Sequence, residues 1–126
     1  MKILGLIIIV FSCFYSIGQP IRLRAEYLKG NNGVTKYEEE SNKLLVVNFE
    51  KMNLIIYGNP NERFDFYDSF EIDDATTMLP ALDKDGVEFA IELYLVEKYI
   101  YVTIQNATEN KFGEFDSRMY ICTVIE

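Results

Sequence analysis

No histidine occurs anywhere in the chain, and cysteine occurs only twice, at Cys13 and Cys122. The first absence removes the side chain that most often acts as a base near neutral pH, so no serine or cysteine has an imidazole to activate it. The second leaves Cys122 alone once Cys13 is assigned to a cleaved leader, as argued below, and an intramolecular disulfide is then precluded. Within Met119-Tyr120-Ile121-Cys122-Thr123-Val124 the thiol reads as a small buried hydrophobe, because a reactive one needs a base or a cationic neighbour. Internal repeats, linkers, low-complexity tracts and helical periodicity are missing as well, and no motif implies a cofactor.

Twelve Lys and Arg face 20 Asp and Glu, for a net charge of −8. Lys2 is the only charged residue among the first 18, so residues 19–126 carry −9. Polyanions are repelled by such a chain, and its bases are scattered, with Arg22 and Arg24 the only close pair; no nucleic acid is expected as a partner. The acidity reads as a solvated surface. At 126 residues there is room for one domain, and an apolar content of 49% supports a packed core.

The leader has three parts: Met1-Lys2 is a short positive start, Ile3 to Tyr15 an apolar stretch, and Ser16-Ile17-Gly18 a small-residue cleavage site. This is the pattern of a secretory signal peptide over residues 1–18, with the mature domain over 19–126 in the periplasm or outside the cell. Its apolar run of about 16 residues falls short of the roughly 20 that cross a bilayer, so no stable membrane insertion is expected after processing. The competing readings are a retained membrane anchor and lipidation at Cys13, where Val10-Phe11-Ser12-Cys13 loosely matches a bacterial lipobox. Bulky Phe11 argues against the latter.

From Ile21 onward, period-2 alternation with Asn, Gly and Asp punctuation predicts an all-β antiparallel meander of about 7–8 strands, curled into a small barrel or folded into a sandwich. Ile21, Leu23 and Ala25 alternate with Arg22, Arg24 and Glu26, and Lys29 to Gly33 reads as a turn. Glu38, Glu39 and Glu40 suit an exposed edge. Leu44 to Phe49 and Leu54 to Tyr57 are apolar on both faces, as central strands are, and Arg63 to Tyr67 and Phe70 with Ile72 read as further strands. Asp83-Lys84-Asp85-Gly86 reads as a turn setting Met78, Pro80 and Leu82 on the face of Val87, Phe89 and Ile91, with Pro80 marking an edge or a bulge. A tight connection at Glu97-Lys98 pairs Leu95 with Ile100, Leu93 with Val102 and Ile91 with Ile104, leaving Tyr94 against Tyr101 and Val96 against Tyr99 on the reverse face. Met119 to Ile125 is the last strand.

Few residues suggest chemistry. The Asp83-Lys84-Asp85-Gly86 segment opens like a calcium loop, but it is shortened and lacks the bidentate glutamate, so a plain turn is expected and no metal site is assigned. Asn106-Ala107-Thr108 fits a glycosylation sequon and equally a polar loop. Asp65, Asp68, Glu71, Asp73 and Asp74 crowd one stretch, and glycoside hydrolysis needs a pair of carboxylates, one held protonated by burial. Strand alternation already puts such charges on the wet face, so no catalytic residue is assigned. Tyr94, Tyr99 and Tyr101 share one hairpin face, and flat amphipathic rings with few rotamers grip sugars, peptides or proteins well.

Asn53-Leu54-Ile55-Ile56-Tyr57, Glu62-Arg63-Phe64-Asp65-Phe66-Tyr67, the Asp83–Gly86 turn and the long hairpin after it resemble a group of small exported all-β proteins of Gram-negative bacteria. The resemblance implies export and a β-fold, and implies neither a reaction nor site residues. The function expected on these grounds is non-catalytic binding of a protein, peptide or glycan. A small apolar ligand carrier with a closed barrel is the runner-up, and a carboxylate-dependent hydrolase the third reading. Intact-mass measurement of the exported protein should give residues 19–126, with Gln19 free or cyclised; a mass retaining Ile3 to Gly18 would overturn the leader.

Overall fold

The computed structural model describes residues 20–31 and 36–125, so the leader, its cleavage point and Cys13 lie outside the described residues. The described chain forms ten strands: β1 (Ile21–Asn31), β2 (Lys36–Glu40), β3 (Leu44–Asn48), β4 (Asn53–Ile56), β5 (Glu62–Phe66), β6 (Phe70–Asp73), β7 (Thr76–Leu82), β8 (Glu88–Val96), β9 (Tyr99–Asn106) and β10 (Ser117–Ile125). All pairings are antiparallel.

These ten segments make eight staves, because two staves are each broken in two. β2 and β3 both pair with β1, the first with Tyr27–Asn31 and the second with Ile21–Arg24. Likewise β5 and β6 both pair with β7. Chain order is then spatial order, and the meander closes where β10 returns to β1, from Arg22 opposite Ile125 to Asn31 opposite Ser117. The sandwich alternative is thereby excluded in favour of a closed up-and-down barrel.

Pro80 explains one of the breaks. In a strand the N–H and C=O of one residue point to the same side. The Pro80 carbonyl accepts from the Tyr67 N–H at 3.0 Å, so its missing N–H faces the same side, where Tyr67, Asp68 and Ser69 interrupt β5 and β6. The proline thus sits at an irregularity, as its lack of a donor requires.

Alternation fills the barrel. Twenty apolar side chains form one buried cluster, among them Leu23, Leu45, Leu54, Phe64, Leu79, Ile91, Val102 and Tyr120. An eight-stranded barrel has an interior about wide enough for its own side chains. Tyr120 is wholly buried, and Ala25, Ala81 and Cys122 supply small residues on the same inner surface, so large and small residues combine to fill the space.

The hairpin of β8 and β9 has the register that its alternation demands, with Leu95 opposite Ile100, Ile91 opposite Ile104 and Tyr94 opposite Tyr101. Two expectations are corrected. Lys29 to Asn31 are not a turn: β1 continues through them, with a bulge at Glu26 that turns Leu28 inward after Ala25. The face of β7 is also reversed. Leu82 lies opposite Glu88, not Val87, so Leu79 and Ala81 point inward while Met78, Pro80 and Leu82 stand on the outer wall beside Glu92, Ala90 and Glu88. The cause is a turn one residue longer than the Asp83–Gly86 reading. The Asp83 carboxylate accepts from the N–H groups of Asp85 and Val87, both at 2.9 Å, and Gly86 takes φ +80°, so Val87 belongs to the loop.

This register generates a contrast between neighbours. Met78→Lys, on the outer wall, should change the unfolding free energy by about 0.5 kcal/mol or less, whereas Leu79→Lys buries a charge and should cost more than about 4 kcal/mol or abolish folding. Urea denaturation of both variants checks it, and the opposite ranking would restore the other face.

Candidate functional site

Two places on this scaffold bring together side chains that the strand pattern alone does not connect. The first is one mouth of the barrel. Glu62 opens β5 and Arg118 lies at the start of β10, four staves apart in either direction around an eight-stave barrel and therefore opposite one another. The Arg118 guanidinium reaches across and donates to both Glu62 carboxylate oxygens, Nη1 to Oε1 at 2.7 Å and Nη2 to Oε2 at 2.6 Å. Nη1 also approaches the Tyr120 hydroxyl at 3.3 Å. The guanidinium carbon lies 5.6 Å from the Phe64 ring centre and 5.9 Å from that of Tyr120, within reach of cation–π attraction. A planar fork of donors matches a carboxylate in this bidentate way, which an ammonium would not.

The electrostatics follow from that geometry. The hydrogen bonds from Arg118, aided by its charge and that of Lys43, hold the Glu62 carboxyl below its ordinary 4.5 against the opposing effect of burial. Burial works against the Arg118 charge, but the bonds to Glu62 and Tyr120 outweigh it and the group stays ionised. A tied, charged pair over Phe64 and Tyr120 forms a strap across this end of the core.

The second place is the outer wall of β8, β9, β10 and β1. Tyr94 lies opposite Tyr101, Tyr101 opposite Ile121, and Ile121 opposite Tyr27. Four side chains from four adjacent strands thus stand in one row, which at about 4.8 Å per strand is roughly 15 Å long. Tyr94 and Tyr101 meet edge to face, with ring centres 6.5 Å apart. Tyr99 lies two residues before Tyr101 on the same face. Tyr94 and Tyr27 are 41% and 44% exposed, while Tyr99, Tyr101 and Ile121 are half-buried. The barrel is one sheet, so the row faces outward from the filled core.

The remaining candidates are dispersed. Asp65, Asp68, Glu71, Asp73 and Asp74 are all exposed; Asp65 accepts from Arg63 Nε at 2.9 Å, and Asp68 and Asp73 cap the N–H groups of Ser69 and Ala75. They do not converge on one point. Cys122 is buried inside the barrel, where loss of hydration pushes its thiol up to about 12. Asn106 ends β9 with its N–H on the Asp116 carbonyl.

Sequence reasoning missed the pairing of Glu62 with Arg118 and the addition of Tyr27 and Ile121 to the tyrosine row. A local signal existed for both, a charge at an inward position of an alternating strand, Glu62 before Phe64 and Phe66 and Arg118 before Tyr120 and Cys122, but nothing in the sequence joined two positions 56 residues apart. No protein-family model matches the chain, and no match is found among curated proteins or solved structures.

The strap makes a pH-dependent contribution to stability. Because the Glu62 carboxyl ionises below 4.5 in the folded chain, the contribution is complete above that pH and is lost as pH falls through the lowered value. Arg118→Gln should cost about 2 kcal/mol at pH 7, between the value of an exposed pair and that of a buried one broken on one side, since both side chains keep some contact with water. Glu62→Gln should destabilise at pH 7, and its deficit in urea denaturation should shrink as pH falls below 4.5. A deficit unchanged across that range would refute the strap.

Proposed function

We propose that the chain is an exported, non-catalytic binding module that recognises a protein, peptide or glycan through the outer face of β8, β9, β10 and β1. The observation that carries the reading is the register row of Tyr94, Tyr101, Ile121 and Tyr27, with Tyr99 beside it. Recognition needs large, stiff, amphipathic side chains that lose little rotamer freedom on binding, and four tyrosines on one unobstructed wall supply them. Polar side chains stand beside the row, Glu92 and Thr103 on one side and Thr123 on the other.

The core supports this reading over a carrier. A carrier holds its cargo in the barrel, but here Tyr120, Ile91, Ile100, Val102 and Ile104 occupy the interior and the Arg118–Glu62 strap crosses one mouth. The interior is apolar, the reverse of the polar lumen of a barrel that spans a bilayer. The dispersed, exposed carboxylates offer no site of the kind that hydrolysis requires.

The test compares the exported chain with a Tyr27→Ser, Tyr94→Ser, Tyr101→Ser variant on glycan and peptide arrays and in photo-crosslinking from position 99 in both. Binding that falls at least about tenfold in the variant, with its circular dichroism unchanged, supports the reading. Equal binding by both chains, or crosslinks that persist after the three substitutions, overturns it.

A further inference from the structure

The opposite wall carries a second feature. A hollow of about 680 Å³ opens on the outer faces of β1, β3, β4 and β5, within the range of small-molecule sites. Its floor is Leu44, Val46 and Ile55, the outward-facing residues of strands that are apolar on both sides, and Tyr57, 41% exposed, stands at its margin.

Charge at this hollow runs against the rest of the molecule. Arg22, Lys51 and Arg63 line it and, among the described residues, no carboxylate does, Asp65 standing just outside it opposite Asn53, in a chain where 20 acids outnumber 12 bases. Arg63 Nε donates to Asp65, but both partners are more than half exposed, and the guanidinium keeps four further N–H donors. Asn53 adds an independent sign. It is only 6% exposed and lines the hollow, and among the described residues its side-chain amide makes no hydrogen bond. No wholly enclosed polar side-chain atom lacks a partner, so this amide opens onto the hollow itself. Buried amides are almost always bonded, and here the partner has to come from what fills the space.

We propose that this hollow binds a monomeric long-chain carboxylate, its head on Arg63 and the Asn53 amide, diagonal neighbours on β5 and β4, and its chain along Ile55, Val46 and Leu44 toward β1. A carboxylate accepts from guanidinium and amide donors together, and four strands of wall, three spacings or about 15 Å, suit a chain of about a dozen carbons. An anionic vesicle is the poorer occupant, because the net charge of −8 repels such a surface while a single carboxylate meets only the local cations.

Laurate below its micelle concentration is the probe, titrated into the exported chain by calorimetry and followed by NMR of the Asn53 side-chain NH2 and the Tyr57 ring. Saturable one-site binding with shifts at those two residues is expected. It should weaken about tenfold in Arg63→Gln, whose exposed position leaves folding intact. The tyrosine-row variant should bind laurate normally, which separates this site from the proposed function. Shifts at Tyr120 and Ile104 instead, equal affinity for dodecyltrimethylammonium, binding only to phosphatidylglycerol vesicles, or no saturable binding would each overturn the assignment.

Discussion

The seam between β1 and β10 is the constraint on which the molecule depends. It joins the first strand to the last by a ladder running the length of β1, and it turns an open meander into a wall without long free edges. Closure also decides what is inside. Ile21, Leu23 and Ala25 on β1 meet Tyr120 and Cys122 on β10 only because the two ends of the sequence are hydrogen-bonded, and the loop entropy of that contact is offset by the burial of both apolar faces. The bulge at Glu26 lets β1 serve the seam along its length while keeping an apolar face inward.

Where the wall is interrupted, the local residues show why the interruption is tolerated. β2 pairs only with β1 and β6 only with β7, so each presents one edge without a strand partner among the described residues. Glu38, Glu39 and Glu40 make the first edge strongly acidic, which discourages pairing with a second acidic chain. Glu71, Asp73 and a bulge do the same for the second. The break before β6 coincides with the side of Pro80 that cannot donate, so an unavoidable gap in the ladder falls where the ladder already ends.

The outer wall and the mouth carry the polar specificity that the core does not. Glu62 and Arg118 face inward at one end, where an apolar pair would have continued the core, and their fork-to-fork contact satisfies both groups while covering Phe64 and Tyr120. Outside, two walls differ in chemistry, tyrosines on β8, β9 and β1 and cations over aliphatic side chains on β1, β3 and β4. In a single-layer barrel both are outer faces, and among the described residues no second layer packs over them.

Period-2 alternation by itself determined the all-β antiparallel class and the register of β8 against β9, because those facts follow from which side chains seek water on strands joined by a two-residue turn. It also sufficed to put Tyr94, Tyr99 and Tyr101 on one face. Which face of β7 turns inward was not legible, since one extra residue in the Asp83 turn exchanges the strand's two faces and depends on side-chain bonds from Asp83 rather than on hydrophobicity. Barrel closure, the Glu62–Arg118 strap, the arrival of Tyr27 beside Ile121 and the opening of Asn53 onto a basic hollow were decided only by the tertiary structure. Each joins residues distant in sequence, and a linear pattern records what a side chain prefers but not which remote group will meet it.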